Sequence, residues 1–285
     1  MHGTMQYQMT EAQSVAPPTP VRRGGGSEPG ERYRDYPLVD ATLGSRLVLG
    51  FSVPGEPLRR RVPPPLVPSP LPPPAYSAAV GPPAEQLGDG PNLLLVFNDL
   101  LLNQDAHEHT QADASARYVG FNIPSRNTVT GEQGMLHFRI FTDNSHAVPG
   151  RYRDALPARV RRDLRVIGEG PTTSIHDHWE FQPAPEVGGL IELELTYARA
   201  PLTRIVGRQP DFPVWAAADS RIFRVYKEDT LLEVIRIDAL GINRVEQTHF
   251  RISVPELADL FNGLEQLTFV LGNPIYVRQV YSPPA

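Results

Sequence analysis

The sequence contains no cysteine and, among its 285 residues, only one lysine, Lys227. Without cysteine the chain has no disulfide framework, no thiolate nucleophile and no cysteine-ligated zinc site. A single lysine leaves one side chain that can carry out amine chemistry. The 27 basic residues are fewer than the 32 acidic ones, which gives a formal net charge of −5. Because nucleic-acid-binding domains usually carry a basic excess, this balance argues against a nucleic-acid partner.

Long hydrophobic runs are absent as well. No apolar stretch approaches the roughly 20 residues that a membrane-spanning helix requires. The first residues, Met1–Ser14, are polar and lack the apolar core of a signal peptide. From these patterns we expect a cytoplasmic protein with no membrane partner.

Two segments have a composition that interrupts any periodic pattern. Residues 1–36 are rich in glycine and lack an apolar repeat, which predicts a flexible N-terminal arm. Residues 54–83 contain twelve prolines, a composition typical of a polyproline linker or of a ligand for a proline-binding module. Apolar residues are interleaved there, and we expect Leu58–Pro68 to lie along the core. We therefore predict a single domain over residues 37–285 that includes the proline-rich segment.

From about residue 91 the pattern is that of strands separated by turn residues. The predicted strands are Leu93–Leu102, Gly134–Phe141, Gly189–Tyr197, Arg221–Tyr226, Leu231–Ile237, Thr268–Leu271 and Ile275–Tyr281. Glu228-Asp229 is interpreted as a hairpin turn, and Gly272-Asn273-Pro274 as the connection between the last two strands.

Helix signals are few. Ser253-Val254-Pro255-Glu256 has the pattern of a capping box, and Gly263 stands where a C-terminal glycine would end the helix. A second short helix is predicted within Pro149–Leu164, interrupted near Pro157. Many strands and few helices favour an α+β, mainly β fold. Because a long antiparallel sheet must protect its edges, we expect a closed or strongly curved, barrel-like sheet.

Two histidine pairs are candidate metal ligands, because residues i and i+2 of a strand face the same way. They are His107 with His109 and His176 with His178. No glutamate follows the second pair at the spacing of a cupin motif, since Gln182 and Pro183 occupy those positions. Polar strand faces explain both pairs equally well, so we predict no metal site and keep His176 and His178 only as weak candidates.

One region carries a resemblance to a known family. Asp143-Asn144 is followed by Gly150-Arg151 and then by Leu156-Pro157-Ala158-Arg159. This order resembles the signature of the acetoacetate decarboxylase family, where a strand ending in Asp-Asn leads through Gly-Arg to Tyr-Pro-Lys-Lys. Gly120 with Ile123-Pro124 is similar to the Gly-x-x-Ile-Pro stretch of the family, and Leu58–Leu66 to its early basic, proline-rich segment. The matches span about Arg46 to Tyr281.

The resemblance implies a barrel with an internal pocket, a homo-oligomer and no cofactor. Family members act through a lysine that forms a Schiff base with a ketone substrate. Here the two lysine positions fall on Ala158 and Arg159. An arginine stays protonated and does not form an imine. Lys227 precedes a predicted turn beside two carboxylates, which does not favour a neutral amine.

The family pocket suggests which residues remain. Its two glutamates fall on Tyr118 and near Asn98 or Asp99, and its substrate-binding arginine on Arg46. We therefore predict Tyr118, Asp99 and His137 as proton-transfer residues, and Arg46 and Arg159 as groups that bind a carboxylate or enolate.

Three functions are compatible with these observations. The first is a barrel that binds a small organic acid or a polyketide-like, keto-type ligand and carries out acid–base chemistry without an imine: isomerisation, dehydration or cyclisation, but not acetoacetate decarboxylation. The second is a non-catalytic structural or interaction protein of the same fold. The third is a metal-dependent enzyme that uses the His-x-His pairs. An open cavity favours the first, and a filled barrel favours the second.

Overall fold

The computed structural model describes most of the chain. The described ranges are 33–69, 91–107, 109–110, 115–205, 212–217 and 219–284. Residues 1–32 of the predicted arm and 70–83 of the proline-rich segment lie outside them. None of the helices in these ranges has the length and apolar character needed to cross a membrane.

Strands dominate the described residues. They are β1 (Leu38–Ser52), β2 (Leu66–Pro68), β3 (Leu93–Asp105), β4 (Ala116–Asn127), β5 (Gln133–Thr142), β6 (Leu156–Ile167), β7 (Ser174–Pro183), β8 (Ile191–Ala198), β9 (Leu202–Ile205), β10 (Phe212–Ala216), β11 (Ile222–Ile237), β12 (Ile242–Asn243), β13 (Val245–Ile252) and β14 (Gln266–Tyr281). The one α-helix found there, α1, covers Gly55–Arg59, and 3-10 turns cover Ser145–Ala147, Gly170–Thr172, Asp238–Leu240 and Pro255–Leu257.

Seven of these strands close into a barrel. In the ring, β5, β10, β11, β14, β1, β3 and β4 follow one another, and β4 pairs with β5 to complete it. The pairing of β5 with β10 is parallel, whereas the other pairs of the ring are antiparallel. Closure removes the edges of the sheet, and the prediction of a mainly β, barrel-like fold is confirmed.

A second sheet covers part of the outer wall of the barrel. It runs in the order β6, β7, β8 and β13, all antiparallel, and joins the barrel where β6 pairs with β5 at two positions. Along β7 the burial alternates: Trp179 and Phe181 face the barrel, whereas His178 and Glu180 face outward. The largest apolar cluster lies between these two layers, where the Phe97 ring of β3 is 5.8 Å from the Trp179 ring.

The beginning of the proline-rich segment belongs to this core. Leu58 on α1, Val62 and Leu66 on β2 are all buried in the main cluster. The expectation that Leu58–Pro68 lies along the core is therefore confirmed.

Two predicted breaks prove wrong because polar residues are used inside the barrel. Glu228-Asp229 is not a turn: β11 runs through it without interruption, and Glu228 is buried. Gly272-Asn273-Pro274 does not separate two strands either. It forms a register shift within β14 that places Asn273 inside the barrel.

The two predicted helices are also wrong. Leu156–Ile167 is strand β6, whose pairing with β7 over ten positions outweighs the local helical pattern. Around Pro255 only a 3-10 turn forms, because the expected capping groups are engaged elsewhere. Ser253 Oγ accepts the backbone N–H of Leu190 at 3.0 Å, and the Glu256 carboxylate accepts a hydrogen bond from Arg139 Nη2 at 2.7 Å.

Candidate functional site

The interior of the barrel contains a cavity of about 90 Å³. Since one water needs roughly 10–15 Å³ of such a cavity, the space suits a ligand of about six non-hydrogen atoms. Its lining combines an apolar side with a charged side. Lining residues are Arg46, Val48, Leu94, Val96, Asn98, Tyr118, Gly120, Asn122, Met135, His137, Ile140, Phe212, Tyr226, Glu228, Leu271, Asn273 and Arg278.

The charged side is built on three neighbouring strands. Arg46 of β1, Glu228 of β11 and Arg278 of β14 face inward at successive positions around the ring. Arg46 donates to both carboxylate oxygens of Glu228, at 2.9 and 2.6 Å. Arg278 Nε donates to Glu228 Oε1 at 2.6 Å. One carboxylate thus holds two guanidinium groups.

Polar and aromatic side chains complete this network. Arg46 Nε donates to Asn273 Oδ1 at 2.7 Å, and Arg278 Nη1 makes a long, 3.4 Å contact to the Tyr118 hydroxyl. The guanidinium carbon of Arg46 lies 4.7 Å from the Tyr276 ring centroid, and that of Arg278 lies 4.6 Å from the Tyr226 centroid. Flat aromatic faces of this kind stabilise guanidinium groups away from water.

The network carries an excess of one positive charge. Burial by itself disfavours the charged form of Glu228, but Arg46 and Arg278 outweigh that effect and lower its pKa to about 2. Two guanidinium groups therefore face one carboxylate. The third nitrogen of Arg278, Nη2, makes no hydrogen bond to any described residue. Buried positive charge next to a cavity favours an anionic ligand.

His137 on β5 supplies a neutral group to the same cavity. Its Nδ1 is hydrogen-bonded to Asn122 Oδ1. Because the Asn122 amide donates to Gly120 O at 3.0 Å, its oxygen must face the histidine, and Nδ1 therefore carries the proton. Nε2 is buried and accepts no hydrogen bond from the described residues. Burial and the positive charge of Arg278 lower the pKa of His137 to about 3, so the ring is neutral at pH 7.

A loop between β5 and β6 closes the barrel beside His137. Tyr152 donates its hydroxyl to the backbone oxygen of His137 at 3.1 Å. Gly150 donates its N–H to the buried Asp40 carboxylate at 3.0 Å, and burial raises the pKa of that carboxyl. Ala147 and Val148 pack on Tyr118 and its neighbours. The loop thus fixes the backbone that positions the histidine.

Solved structures that resemble this chain share its architecture. The Enduracididine biosynthesis enzyme MppR with HEPES buffer bound matches with a TM-score of 0.51 and 11% identity, over 87% of this chain and 86% of that chain. The same enzyme complexed with pyruvate matches with a TM-score of 0.51 and 10% identity, over 86% of this chain and 88% of that chain. An acetoacetate decarboxylase-like enzyme from Sphingomonas wittichii RW1 matches with a TM-score of 0.50 and 10% identity, over 86% of this chain and 91% of that chain.

This chain has the acetoacetate decarboxylase-like fold. At 10–11% identity the likeness concerns the fold alone. No protein-family model and no curated protein matches the sequence. What the site does must therefore be argued from its own residues.

Three of the predicted site residues come together on the acetoacetate decarboxylase-like barrel. Arg46, Tyr118 and His137 all line the cavity. The structure places Asp99 elsewhere, on the outer face of β3, where Arg162 donates to it at 3.0 Å and Arg117 lies at 3.4 Å. The resemblance places one family glutamate near Asn98 or Asp99, and of these two residues Asn98 is the one that faces the cavity.

Ala158 and Arg159, which the resemblance predicts at the lysine positions, also lie outside the barrel cavity. Arg159 is exposed on β6, opposite Gln182 of β7. Ala158 faces the main apolar cluster between the two layers. Lys227 is exposed on the outer face of β11, next in sequence to the inward-facing Glu228. For Ala158 and Arg159 the reason is that β6 belongs to the outer sheet; for Lys227 it is the strand period, which turns adjacent residues to opposite faces.

The two histidine pairs make separate contacts. His176 Nδ1 lies 3.1 Å from Thr196 Oγ1, and His178 Nε2 lies 3.5 Å from Glu192. The backbone N–H groups of His107 and His109 both donate to Asp105. Among the described residues no group of three histidine, aspartate or glutamate side chains is arranged to hold a metal ion.

Sequence reasoning missed the centre of the charged network. The pattern predicts a turn at Glu228 and an ordinary strand at Arg278, yet both residues are buried and bonded to each other. A period-two count through β11 would have placed Tyr226, Glu228 and Thr230 on one face. Asn122 lies inside the stretch that carried the family resemblance, but nothing local marks it as the partner of His137.

Proposed function

We propose that the protein binds a small monocarboxylic acid in the barrel cavity, with its carboxylate next to Arg278. The observation that supports this most directly is the excess positive charge of the Arg46–Glu228–Arg278 network beside a cavity of about 90 Å³. A carboxylate would accept from Arg278 Nη2 and neutralise that excess. The apolar side, with Leu94 and Met135, suits a short hydrocarbon tail.

The proposed chemistry is proton transfer at a carbon next to a carbonyl group. His137 presents an unprotonated Nε2 as the base, and Tyr118 presents a hydroxyl as the acid or hydrogen-bond donor. A bound carboxylate would offset the positive charge of Arg278 and thereby raise the basicity of His137. Isomerisation, dehydration and cyclisation of keto acids all begin with such a step, and none requires an imine.

The pyruvate complex of MppR supports the choice of probe, because pyruvate is a keto acid of six non-hydrogen atoms. Binding is tested by calorimetry with butanoate, pyruvate and butanamide. We expect both carboxylates to bind and the amide, which has the same size as butanoate but no charge, to bind at least about tenfold more weakly. Equal affinity for butanoate and butanamide, or no binding of either carboxylate, would refute the proposal.

Variants assign the effect to the cavity. Arg278→Met removes the excess charge and leaves Arg46 paired with Glu228, so the preference for the carboxylate should disappear. Arg221→Met is the matched control, because the Arg221 side chain is 88% exposed and, among the described residues, bonded only to Asp219. If the Arg278 variant does not fold, the butanoate–butanamide comparison on the wild type still decides.

Catalysis is tested separately from binding. 2-Oxobutanoate is incubated with the protein in deuterium oxide, and loss of the C3 proton signal is followed by NMR. We expect exchange faster than in buffer, which is lost in His137→Gln. Carboxylate binding without exchange would contradict the acid–base chemistry and support the non-catalytic alternative.

A further inference from the structure

We infer that strand β6 is an interaction surface that pairs with the same strand of a second copy of this chain. β6 is bonded to β7 at ten positions, from Ala158 to Ile167, but to β5 only at Leu156 and Pro157. Over the described part of the chain, its other edge from Ala158 onward therefore has no strand partner. A row of unpaired backbone N–H and C=O groups is a template for another strand.

The composition of this edge differs from that of the opposite edge of the same sheet. At the far side, β13 exposes polar and charged residues from Glu246 to Arg251, which is how proteins commonly protect free edges. At the end of β6 three of the four exposed residues are apolar, the fourth being Arg165: Leu164 is 48%, Val166 59% and Ile167 61% exposed. Apolar exposure next to a free edge favours a protein partner over solvent.

A second copy is the partner that fits, because the strand is complementary to itself. In an antiparallel pair centred on Leu164, that residue faces its own copy on the side of the sheet that packs on the barrel. Val166 then lies opposite the aliphatic stem of Arg162. On the outer side, Asp163, which is already bonded to Arg165 of its own copy, also lies opposite Arg165 of the second copy, twice by symmetry. Opposite charges at directly paired positions stabilise a sheet.

The neighbouring registers that keep the apolar residues of both copies on the same side of the sheet are less favourable. Centring the pair on Asp163 or Arg165 places two like charges directly opposite each other. Centring it on Arg162 brings together two guanidinium groups that are already bonded to Asp177 and Asp99. A register shifted by one residue would turn the apolar face of one copy to the side of the sheet that carries the charged face of the other. The register centred on Leu164 is therefore the one we propose.

The resulting sheet would cross the two-fold axis, with the β6–β7–β8–β13 sheets of both copies forming one surface. Arg162 anchors β6 to the barrel, since it donates to Asp99 at 3.0 Å and to Ser45 at 2.9 Å and lies 4.3 Å from the Trp179 ring centroid. The edge is thus held in an extended conformation, which lowers the entropic cost of pairing. This inference does not depend on the proposed ligand.

The first experiment uses the absence of cysteine. Leu164→Cys introduces a single thiol whose Cα would lie about 4.5–5.5 Å from that of its copy, within disulfide range. Under mild oxidation of the full chain at micromolar concentration we expect a disulfide-linked dimer. Val129→Cys, at a position that is 80% exposed in the turn after β4, is the control and should form no disulfide-linked dimer, although its β6 strands still pair. Equal cross-linking of both variants would overturn the register.

The second experiment uses charge reversal and sedimentation velocity. Asp163→Arg and Arg165→Asp each place like charges across the axis, so each variant alone should dimerise at least about tenfold more weakly than the wild type. Mixed together they should form a heterodimer, because both 163–165 pairs across the axis are then oppositely charged. A monomeric wild type at high micromolar concentration, or an oligomer that neither variant weakens, would overturn the inference.

Discussion

The charge balance inside the barrel makes the removal of Glu228 the most informative perturbation. In Glu228→Gln the shape of the side chain is kept, but Arg46 and Arg278 lose their shared counter-charge. All three side chains are at most 8% exposed, and the two guanidinium groups contact the carboxylate at 2.6–2.9 Å. Removing one partner of a buried ion pair typically costs about 3–5 kcal/mol, and here two cations are left unpaired.

We therefore expect the free energy of unfolding to fall by about 3–5 kcal/mol in Glu228→Gln, measured by urea denaturation followed by circular dichroism. Asp219→Asn is the matched control. It breaks the exposed pair with Arg221 and should cost less than about 1 kcal/mol. Arg278→Met should also cost less than Glu228→Gln, since it leaves a neutral Arg46–Glu228 pair.

The variant offers a second measurement. Because its cavity holds two formal positive charges, millimolar acetate should raise the melting temperature of Glu228→Gln more than that of the wild type.

The pH dependence of the stabilisation by Glu228 has a defined sign as well. Glu228 has a folded pKa of about 2 against 4.5 for the unfolded chain, so its stabilising effect is complete above pH 4.5 and is lost as the pH falls toward 2. A cost below 1 kcal/mol for Glu228→Gln, or a smaller cost than that of Arg278→Met, would refute this reasoning.

Two further predictions concern the neutral histidine and the single lysine. His137 has a folded pKa of about 3 against 6.5 when unfolded, so protonation of the unfolded chain removes stability as the pH falls below 6.5. Between pH 7 and 5 this amounts to about 2 kcal/mol, which should vanish in denaturation curves of His137→Gln but persist in the exposed-site control His146→Gln. For Lys227, incubation with acetoacetate and borohydride should give the same adduct mass in wild type and Lys227→Ala, because this exposed lysine lies outside the pocket that would desolvate and activate an amine. An adduct that requires Lys227 would show that imine chemistry occurs in this chain.

The strand periodicity of the sequence was sufficient for the fold class. In alternating segments such as Ile191–Ala198 the sequence alone shows which side chains are buried, because a period of two puts the apolar residues on one face of the strand. The absence of cysteine by itself excludes thiol chemistry, and the single lysine restricts amine chemistry to one side chain. The resemblance around Asp143–Arg159 pointed to a barrel, and Arg46, Tyr118 and His137 do line its cavity.

What tertiary structure alone decided is the charged network and where its members meet. Arg46 and Glu228 are 182 residues apart in the sequence, and Arg46 and Asn273 are 227 apart; only closure of the barrel brings them within hydrogen-bonding distance. A buried glutamate next to an aspartate has the composition of an exposed turn. Its burial is tolerable only because two arginines from other strands compensate the lost hydration. That compensation is a property of the ring of strands, and no local pattern in the sequence encodes it.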